Sequence, residues 1–503
     1  MVHRIDIGLG PATTAERTRI VEQLVEQSWE QARPLLVSAI QRFLSSRVSP
    51  TTLLTFELSL VSAVRELGRA LLAATLNSLE PTDPTLHPRD LMQGGIGFRR
   101  RNEKTANQNL ATCFGTITLY RRGYRSWDGV ERSIFPAEML LGICHSTTPA
   151  LRDWIGRFMA DAGASQDAVV SWLKASLSVT MSVKRLRQVT EHLSDAMGEL
   201  RQVHQVQRLL DLLREAGNSR GSRKPVLAVG RDGITLRQYA NSLFEVATAA
   251  TISVYDRAGK RLGTVYLAWP PELGQATMDQ MLTDILLELF EEWTGPLPRL
   301  AYVSDCGSNE SGYFEGILRK MRHPRTTDVL HWIRVVDYYH VSERIWAMAT
   351  ALFGKDTQHA WGWARRMLKA LKKRNGPSRV LHSAASQRKK IKRMSQTRQD
   401  DFDKAINYLR PRTKFMRYHE CSSNHIPIGS GVTEAACKTI YTQRLKLSGM
   451  RWSFEGAKSV VTLRTILLSK TWDATYADYL KSLYPADLQT YQPKRVSAAR
   501  RAA

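Results

Sequence analysis

KPVLAVGRDG, Lys224 to Gly233, opens the stretch that decides the fold. FEVATAATISVYDRAGKRLGTVYLAW follows from Phe244 to Trp269, then PRLAYVSDCG from Pro298 to Gly307, then WIRVVDYYHV from Trp332 to Val341. Each run is apolar, rich in β-branched residues and of strand length. YDRAGKRLG reads as a hairpin turn between the second and third strands. TMDQMLTDILLELFEEW reads as an amphipathic crossover helix leading into the fourth strand, LAYVSD. A right-handed crossover places that strand parallel to the first.

The order strand, strand, strand, helix, strand, helix, strand is the ribonuclease-H-like pattern, in which the first and fourth strands are neighbours. Two of the runs end abruptly in an Asp followed closely by Gly: Asp232 closes the first and Asp305 the fourth. Neighbouring parallel strand ends share one crevice, where ligands collect. Two carboxylates there repel, and such a pair needs a shared proton or a bound cation. A third acid, Glu434, enters from a Gly-Ser-Gly turn that opens a helix. This trio suits two Mg²⁺ (or Mn²⁺) ions about 3.5–4 Å apart, the arrangement that cleaves phosphodiesters without a covalent intermediate. Asp232 would bridge both ions, Asp305 hold one and Glu434 complete the other, with Gly233, Gly307, Gly429 and Gly431 letting backbone approach phosphate. The plainer reading is an ordinary Asp-Gly turn twice over, and an acid that complements a helix dipole. In DYYH, His340 is a candidate for contacting the scissile phosphate or moving a proton, with Asp337 orienting it. A structural Asp–His pair is the alternative.

A chain of 503 residues with 43% apolar content has material for two to four cores. Its formal charge of +25, from 72 basic and 47 acidic residues, points to a polyanion, nucleic acid above all. Five scattered cysteines with no C-x-x-C pair imply neither a disulfide framework nor a zinc ribbon, and fit a reducing cytosol. His419, Cys421 and His425 lie close together, more in the manner of loop residues than of metal ligands. No signal segment or bilayer-length apolar run is visible, which argues against a membrane partner.

In chain order, residues 1–90 read as a helical region. Two amphipathic helices run between Thr14 and Ser78, the first kinked at Pro34 and the second opened by Ser49-Pro50. They form a packed hairpin or a self-association surface. Residues 91–147 form a basic β-hairpin region bearing Arg99, Arg100, Arg101, Lys104, Arg121, Arg122 and Arg125, interleaved with Tyr120, Tyr124 and Trp127. That is a solvated edge or a surface for phosphate contact and base stacking. Residues 148–223 are helical, with the shape of a helix-turn-helix whose second helix, capped by Ser182, carries Lys184, Arg185 and Arg187. Leu186, Val189, Leu193, Ala196, Leu200, Val203 and Leu210 keep a heptad along it, for a dimerising coiled coil or for packing on neighbours. Residues 224–341 are the first part of the sheet core. Residues 342–425 are a basic helical insertion, with no acid between Asp356 and Asp400, and with Lys372, Lys373, Arg374, Arg388, Lys389 and Lys390 predicted to lie along DNA. Residues 426–472 return to the core with Glu434, Lys438 one turn on and Arg444 as a further DNA contact. Residues 473–503 read as a tail whose end, QPKRVSAARRAA, is disordered and weakly basic.

The set RDG, VSDCG, DYYH-x-x-E-R-I-W and above all IPIGSGVTEAACK-x-I-x-x-Q-R-L-K-x-SGMRWS resembles the ISKra family of insertion-sequence transposases, DDE enzymes related to the Mutator-like superfamily. The resemblance spans roughly Gly97 to Ser469. It implies a multidomain α+β protein with a ribonuclease-H-like core split by an all-helical insertion, and catalytic acids Asp232, Asp305 and Glu434 holding two Mg²⁺ or Mn²⁺ ions. The superfamily's (Cys or Asp)-x-x-His motif matches Asp337 and His340. It also implies DNA as partner (terminal inverted repeats and target), a homodimer or larger assembly, and action at the nucleoid. Paired cysteines found in some relatives after the basic hairpin are absent here. A domesticated DNA-binding scaffold and a nuclease or resolvase without strand transfer are the competing readings.

Overall fold

The computed structural model describes residues 14–80, 82–161, 163, 165–237 and 244–491. It is a mixed α+β protein of two compact units, one from Met1–Phe158, Ala164–Leu193 and Tyr476–Ala503, the other from Met159–Gly163 and Ser194–Thr475. In chain order come α1 (Thr14–Leu44), α2 (Pro50–Ser78), β1 (Asp90–Gln93), β2 (Ile96–Thr112), β3 (Gly115–Ser126), α3 (Pro136–Leu140), α4 (Pro149–Ala160), α5 (Gln166–Leu177) and α6 (Val183–Asn218). The sheet core follows as β4 (Val226–Arg237), β5 (Phe244–Tyr255), β6 (Arg261–Trp269), α7 (Ala276–Glu292), β7 (Arg299–Ser304), α8 (Ser308–Gly316) and β8 (Trp332–Val336). Then come α9 (Tyr338–Phe353), α10 (Gln358–Leu371), α11 (Gly376–Lys390), α12 (Gln396–Arg412), α13 (Tyr418–Ser423), α14 (Gly431–Cys437), α15 (Phe454–Leu468), α16 (Trp472–Ser482) and β9 (Gln489–Thr490).

In the first unit a four-stranded sheet runs β3-β2-β1-β9, with every pairing antiparallel. The expected tail is therefore structured as far as Tyr491. Residues after Ser482 come back to hydrogen-bond β1, and Leu488 enters the small core of Leu91, Phe98 and Tyr124. The segment QPKRVSAARRAA lies outside the described residues. Ser49 caps α2 through a reciprocal bond with Thr52, as the Ser-Pro start predicts, and Pro34 lies inside α1. Ala32 and Ala39 of α1 are buried, as are Ala63 and Ala70 of α2, while Val21, Val25, Val61 and Val64 are exposed.

In the second unit the sheet order is β6-β5-β4-β7-β8. The first three strands are antiparallel, and β4, β7 and β8 are parallel. Alternation sends Val226 and Ala228 to one face and Leu227 and Val229 to the other. The second face packs on α7 and the C-terminal half of α6 through Leu209, Leu213, Leu282 and Leu286. The first face packs on the helical insertion through Ile345, Trp363, Phe402 and Leu409, so the insertion shares the sheet's own core. Along α6 the buried apolar residues are Leu186, Val189, Leu193, Met197, Val206, Leu209, Leu210, Leu212, Leu213 and Ala216, while Val203 is 59% exposed. Of the heptad positions Leu186, Val189, Leu193 and Leu210 are buried and Val203 is exposed, and the second half of the helix buries its apolar residues against the sheet, the packed-helix alternative for that pattern. Among the described residues no helix is long and apolar enough to cross a membrane.

Candidate active site

Gly230↔Val303 is the last registered pair between β4 and β7. Asp232 and Asp305 each lie two residues further on, so the two aspartates emerge side by side at one edge of the parallel strands, with strands about 4.8 Å apart. Asp232 Oδ1 accepts the Gly233 N–H at 2.8 Å, and Asp305 Oδ1 accepts the Gly307 N–H at 2.9 Å. Between them, Cys306 holds a left-handed φ of 62° that turns the chain sharply after β7. The insertion fixes this turn from above. Tyr408 of α12 donates its hydroxyl to the Asp305 carbonyl at 2.7 Å, and Arg412 donates to the Cys306 carbonyl at 2.9 Å.

Glu434 arrives through a close approach of α14 to the sheet. A Cβ on Gly230 would lie 2.0 Å from Thr433 Oγ1, so only glycine lets the helix seat there. Thr433 and Thr251 hydroxyls then meet at 2.7 Å. Glu434, the next residue, is thereby brought close enough for its charge to act on Asp232. Burial pushes the Asp232 carboxyl up from its ordinary range, and the charges of Asp305 and Glu434 push the same way.

A fourth acid joins them. Glu310, in the first turn of α8, is 8% exposed and forms no ion pair with Lys or Arg among the described residues, although the charge of Arg231 acts on it. A Cβ on Gly307 would lie 2.4 Å from Glu310 Oε2 and 3.4 Å from Asp305 Oδ1, so both carboxylates converge on that glycine. Burial raises its pKa, and Asp305 and Asp232 add to the rise. Its only signal in the sequence is a place five residues after Asp305 across a tight turn, and helix N-termini carry acids routinely.

Asp337, Glu434 and His340 offer ligand atoms within 4.8 Å of one another. Asp337 is fully buried and fully used. Its Oδ1 accepts the Tyr339 and His340 amides at 2.5 and 2.9 Å, capping α9, and its Oδ2 accepts the amide and hydroxyl of Ser430. Burial alone would raise its pKa, but the hydrogen bonds outweigh that and hold it at about 2. His340 Nδ1 lies 3.5 Å from Asp337 Oδ1 and 3.8 Å from Glu434 Oε1. The Asp337 carboxylate beside it pushes the imidazole up to about 9. A protonated ring donates and does not ligate. His340 thus stands beside Asp337 and Glu434, Asp337 anchors the turn that carries Glu434, and the charges of Asp305 and Glu434 act on Asp232 as those of Asp305 and Asp232 act on Glu310.

The basic residues divide. Arg99, Arg101, Lys184, Arg187, Lys372, Lys373, Arg374, Lys389, Lys390 and Lys438 are exposed. Others make bonds within the protein, and of these Arg121, Arg122 and Arg444 are buried, which leaves them no surface to offer DNA. Arg100 donates to the carbonyls of Pro84 and His87. Arg121 pairs with Glu138 at 2.7 Å, and Arg122 donates to the carbonyls of Asn102 and Thr82. Arg185 donates to the carbonyls of His145, Asn109 and Ser146, tying the start of α6 to neighbouring loops. Arg388 bonds Gln399. Arg444 is completely buried, donating to the Met159 carbonyl and lying over Trp452, and burial lowers its pKa to about 10. Cys421, between His419 and His425, is buried, and its thiol is pushed up to about 11 by that burial, which suits packing rather than ligation. No protein-family model matches the chain, and no curated protein matches it.

Proposed function

We propose that the chain is a DNA transposase of an insertion sequence, built on a ribonuclease-H-like core, that cuts element ends and joins the freed 3′-hydroxyl to target DNA. The observation that carries the reading is the convergence of Asp232 and Asp305, on adjacent parallel strands, with Thr433 seated over Gly230 and the charge of its neighbour Glu434 acting on Asp232. The carboxylates lie in a protein of charge +25 and yet have no Lys or Arg partner among the described residues. Their oxygen donors fit Mg²⁺ or Mn²⁺. Two such ions, when bound, would supply an activated nucleophile and stabilise the leaving oxygen.

The residues of the chain then have separable tasks. Asp232, Asp305 and Glu434 would hold the ions, with one short aspartate inside β4, one just past the end of β7 and a longer glutamate on a helix. Protonated His340 holds a positive hydrogen-bond donor toward a non-bridging oxygen of the scissile phosphate. Exposed Lys372, Lys373, Arg374, Lys389 and Lys390 give the insertion a basic surface for the DNA backbone.

The test is processing of DNA ends with Mg²⁺ or Mn²⁺ by wild type and by Asp232→Ala, Asp305→Ala and Glu434→Ala, beside a strand-transfer assay on pre-cut ends. Loss of cutting with retained DNA binding in all three supports the reading, and joining of pre-cut ends identifies a transposase. Cutting without joining identifies a nuclease or resolvase, and metal-independent binding alone identifies a domesticated scaffold. Activity surviving Glu434→Ala would reject the assignment of that residue.

A further inference from the structure

Trp127 is 47% exposed, yet nothing about its position is loose. Its six-membered ring lies over Gly97, where a Cβ would come within 2.2 Å of the indole, and its backbone N–H donates to the Gly97 carbonyl at 2.9 Å. Tyr491 meets it edge-on at 5.1 Å between ring centroids. The indole N–H is directed to Asp90 Oδ1 at 3.3 Å. One face of the ring is covered and its polar edge is satisfied, so the exposed part is apolar ring held rigid in water.

The next row of the same sheet face reads Asp90, Arg99, Arg125 across β1, β2 and β3, from the pairs Asp90↔Arg99 and Arg99↔Arg125. Like charges directly opposite on an antiparallel pair destabilise it. Asp90 Oδ1 also accepts Arg99 Nε at 3.1 Å, which offsets one guanidinium and leaves the pair with net positive charge. A break in the β2–β3 register after Arg100 brings Arg101 to the same rim, where its guanidinium lies 3.4 Å from the Ser133 hydroxyl. Trp127 and the arginines together line an open groove of about 590 Å³ whose one acidic lining residue is Asp128.

We propose that this groove takes an unpaired nucleotide of single-stranded DNA, with the base on the open face of Trp127 and the phosphate against Arg99 and Arg125. The inference deepens the transposase reading and rests on it for the choice of DNA. A rigid aromatic face bordered by guanidiniums is the combination that binds single strands, because every base has a face to stack and every linkage has a phosphate. In a duplex those faces are already covered by neighbouring pairs, so the Trp127 surface adds nothing to duplex affinity. Unpaired segments arise beside a cut end, which is where such a site serves a strand-cutting enzyme.

The experiment measures binding of fluorescent oligo-dT, a matched duplex and oligo-U to the full chain, for wild type, Trp127→Ala, Trp127→Phe and Arg125→Gln. Circular dichroism and the melting temperature check each fold. Trp127→Ala is expected to weaken oligo-dT binding roughly 5- to 150-fold while duplex binding stays within about twofold. Trp127→Phe should keep most of the affinity, and Arg125→Gln should weaken oligo-dT binding and flatten its salt dependence. The proposal is overturned if Trp127→Ala lowers duplex and single-strand binding alike, or lowers neither. Should it fail to fold, unchanged oligo-dT affinity in Arg125→Gln overturns it. Tighter binding of oligo-U than of oligo-dT overturns the assignment to DNA. A Trp127-dependent preference for single strands in a protein that cuts no DNA with Mg²⁺ would leave this site standing and remove the transposase reading.

Discussion

The hydroxyls of Thr433 and Thr251 meet at 2.7 Å at the spot where a side chain on Gly230 would begin. A strand, a neighbouring strand and a helix are thereby locked at one point, and Glu434 is the next residue along the helix. Gly230→Ala must push α14 off the sheet. Overpacking of this kind costs about 1–3 kcal/mol of stability, and a shift of about 1 Å in a catalytic group costs on the order of 100-fold in rate. Chemical denaturation and end-cutting assays should show both losses with DNA binding intact. A variant that cuts like wild type would mean that this contact does not set the place of Glu434.

The pair of Asp337 and His340 carries a pH signature. The folded imidazole titrates near 9, above its unfolded value of about 6.5. Its contribution to stability is therefore complete below about pH 6.5 and is lost as pH rises through about 9. The ring is 35% exposed, so solvent screening keeps the effect well below the full value of the shift. Denaturation midpoints of wild type and His340→Gln should differ most near pH 6 and converge by about pH 9.5. Parallel midpoints across that range would show that the imidazole is not held protonated.

Glu310→Gln keeps shape and removes one of four neighbouring negative charges. The variant should melt higher than wild type in a chelating buffer, because the remaining acids repel less. Its affinity for Mn²⁺, read by calorimetry, should fall about 10-fold, in line with the loss of a supporting group at a metal site. Unchanged affinity together with an unchanged melting temperature would make Glu310 a bystander.

Arg444 and Lys389 separate burial from charge. Two of the Arg444 guanidinium nitrogens are buried without a hydrogen-bond partner. Arg444→Met should therefore leave stability within about 1 kcal/mol of wild type and leave the salt dependence of DNA binding unchanged. Lys389→Ala, at an exposed position, should reduce the slope of log K against log salt by about one. A reduced slope in Arg444→Met would return that residue to the DNA surface.

Tyr408→Phe deletes the hydroxyl that holds the Asp305 carbonyl and little else. A loss of about 1 kcal/mol of stability is expected, together with roughly tenfold slower cutting, since the turn bearing Asp305 gains freedom. Wild-type cutting by this variant would show that the insertion does not steady the acid.

The strands were legible because β-branched runs carry their meaning locally, but Asp232 does not close the first strand as expected: β4 continues through Asp232 and Gly233 to Arg237, paired with β5 throughout. The third acid was legible through a motif, but the reason it reaches the site was not, since Gly230 matters only once α14 is known to land on it. Glu310 was invisible for the same reason: its chemistry depends on which carboxylates face it. Arg121 and Arg122 show how charge misleads. The sequence displays two cations on a hairpin, and only the fold brings Glu138 and the carbonyls of Asn102 and Thr82 to meet them. On α6, Leu186, Val189, Leu193 and Leu210 of the apolar pattern are buried, whereas Val203 is exposed and Met197 and Val206, outside that pattern, are buried.

The short strand β9 closes the sheet of the first unit at Leu91 and Met92, and Tyr491 braces Trp127. During translation, β1 to β3 leave the ribosome long before their last neighbour exists. At about 5–20 residues per second the wait is roughly 20–80 seconds. A nascent chain therefore carries its basic hairpin with an open strand edge and an unbraced indole until β9 and Tyr491 have been made.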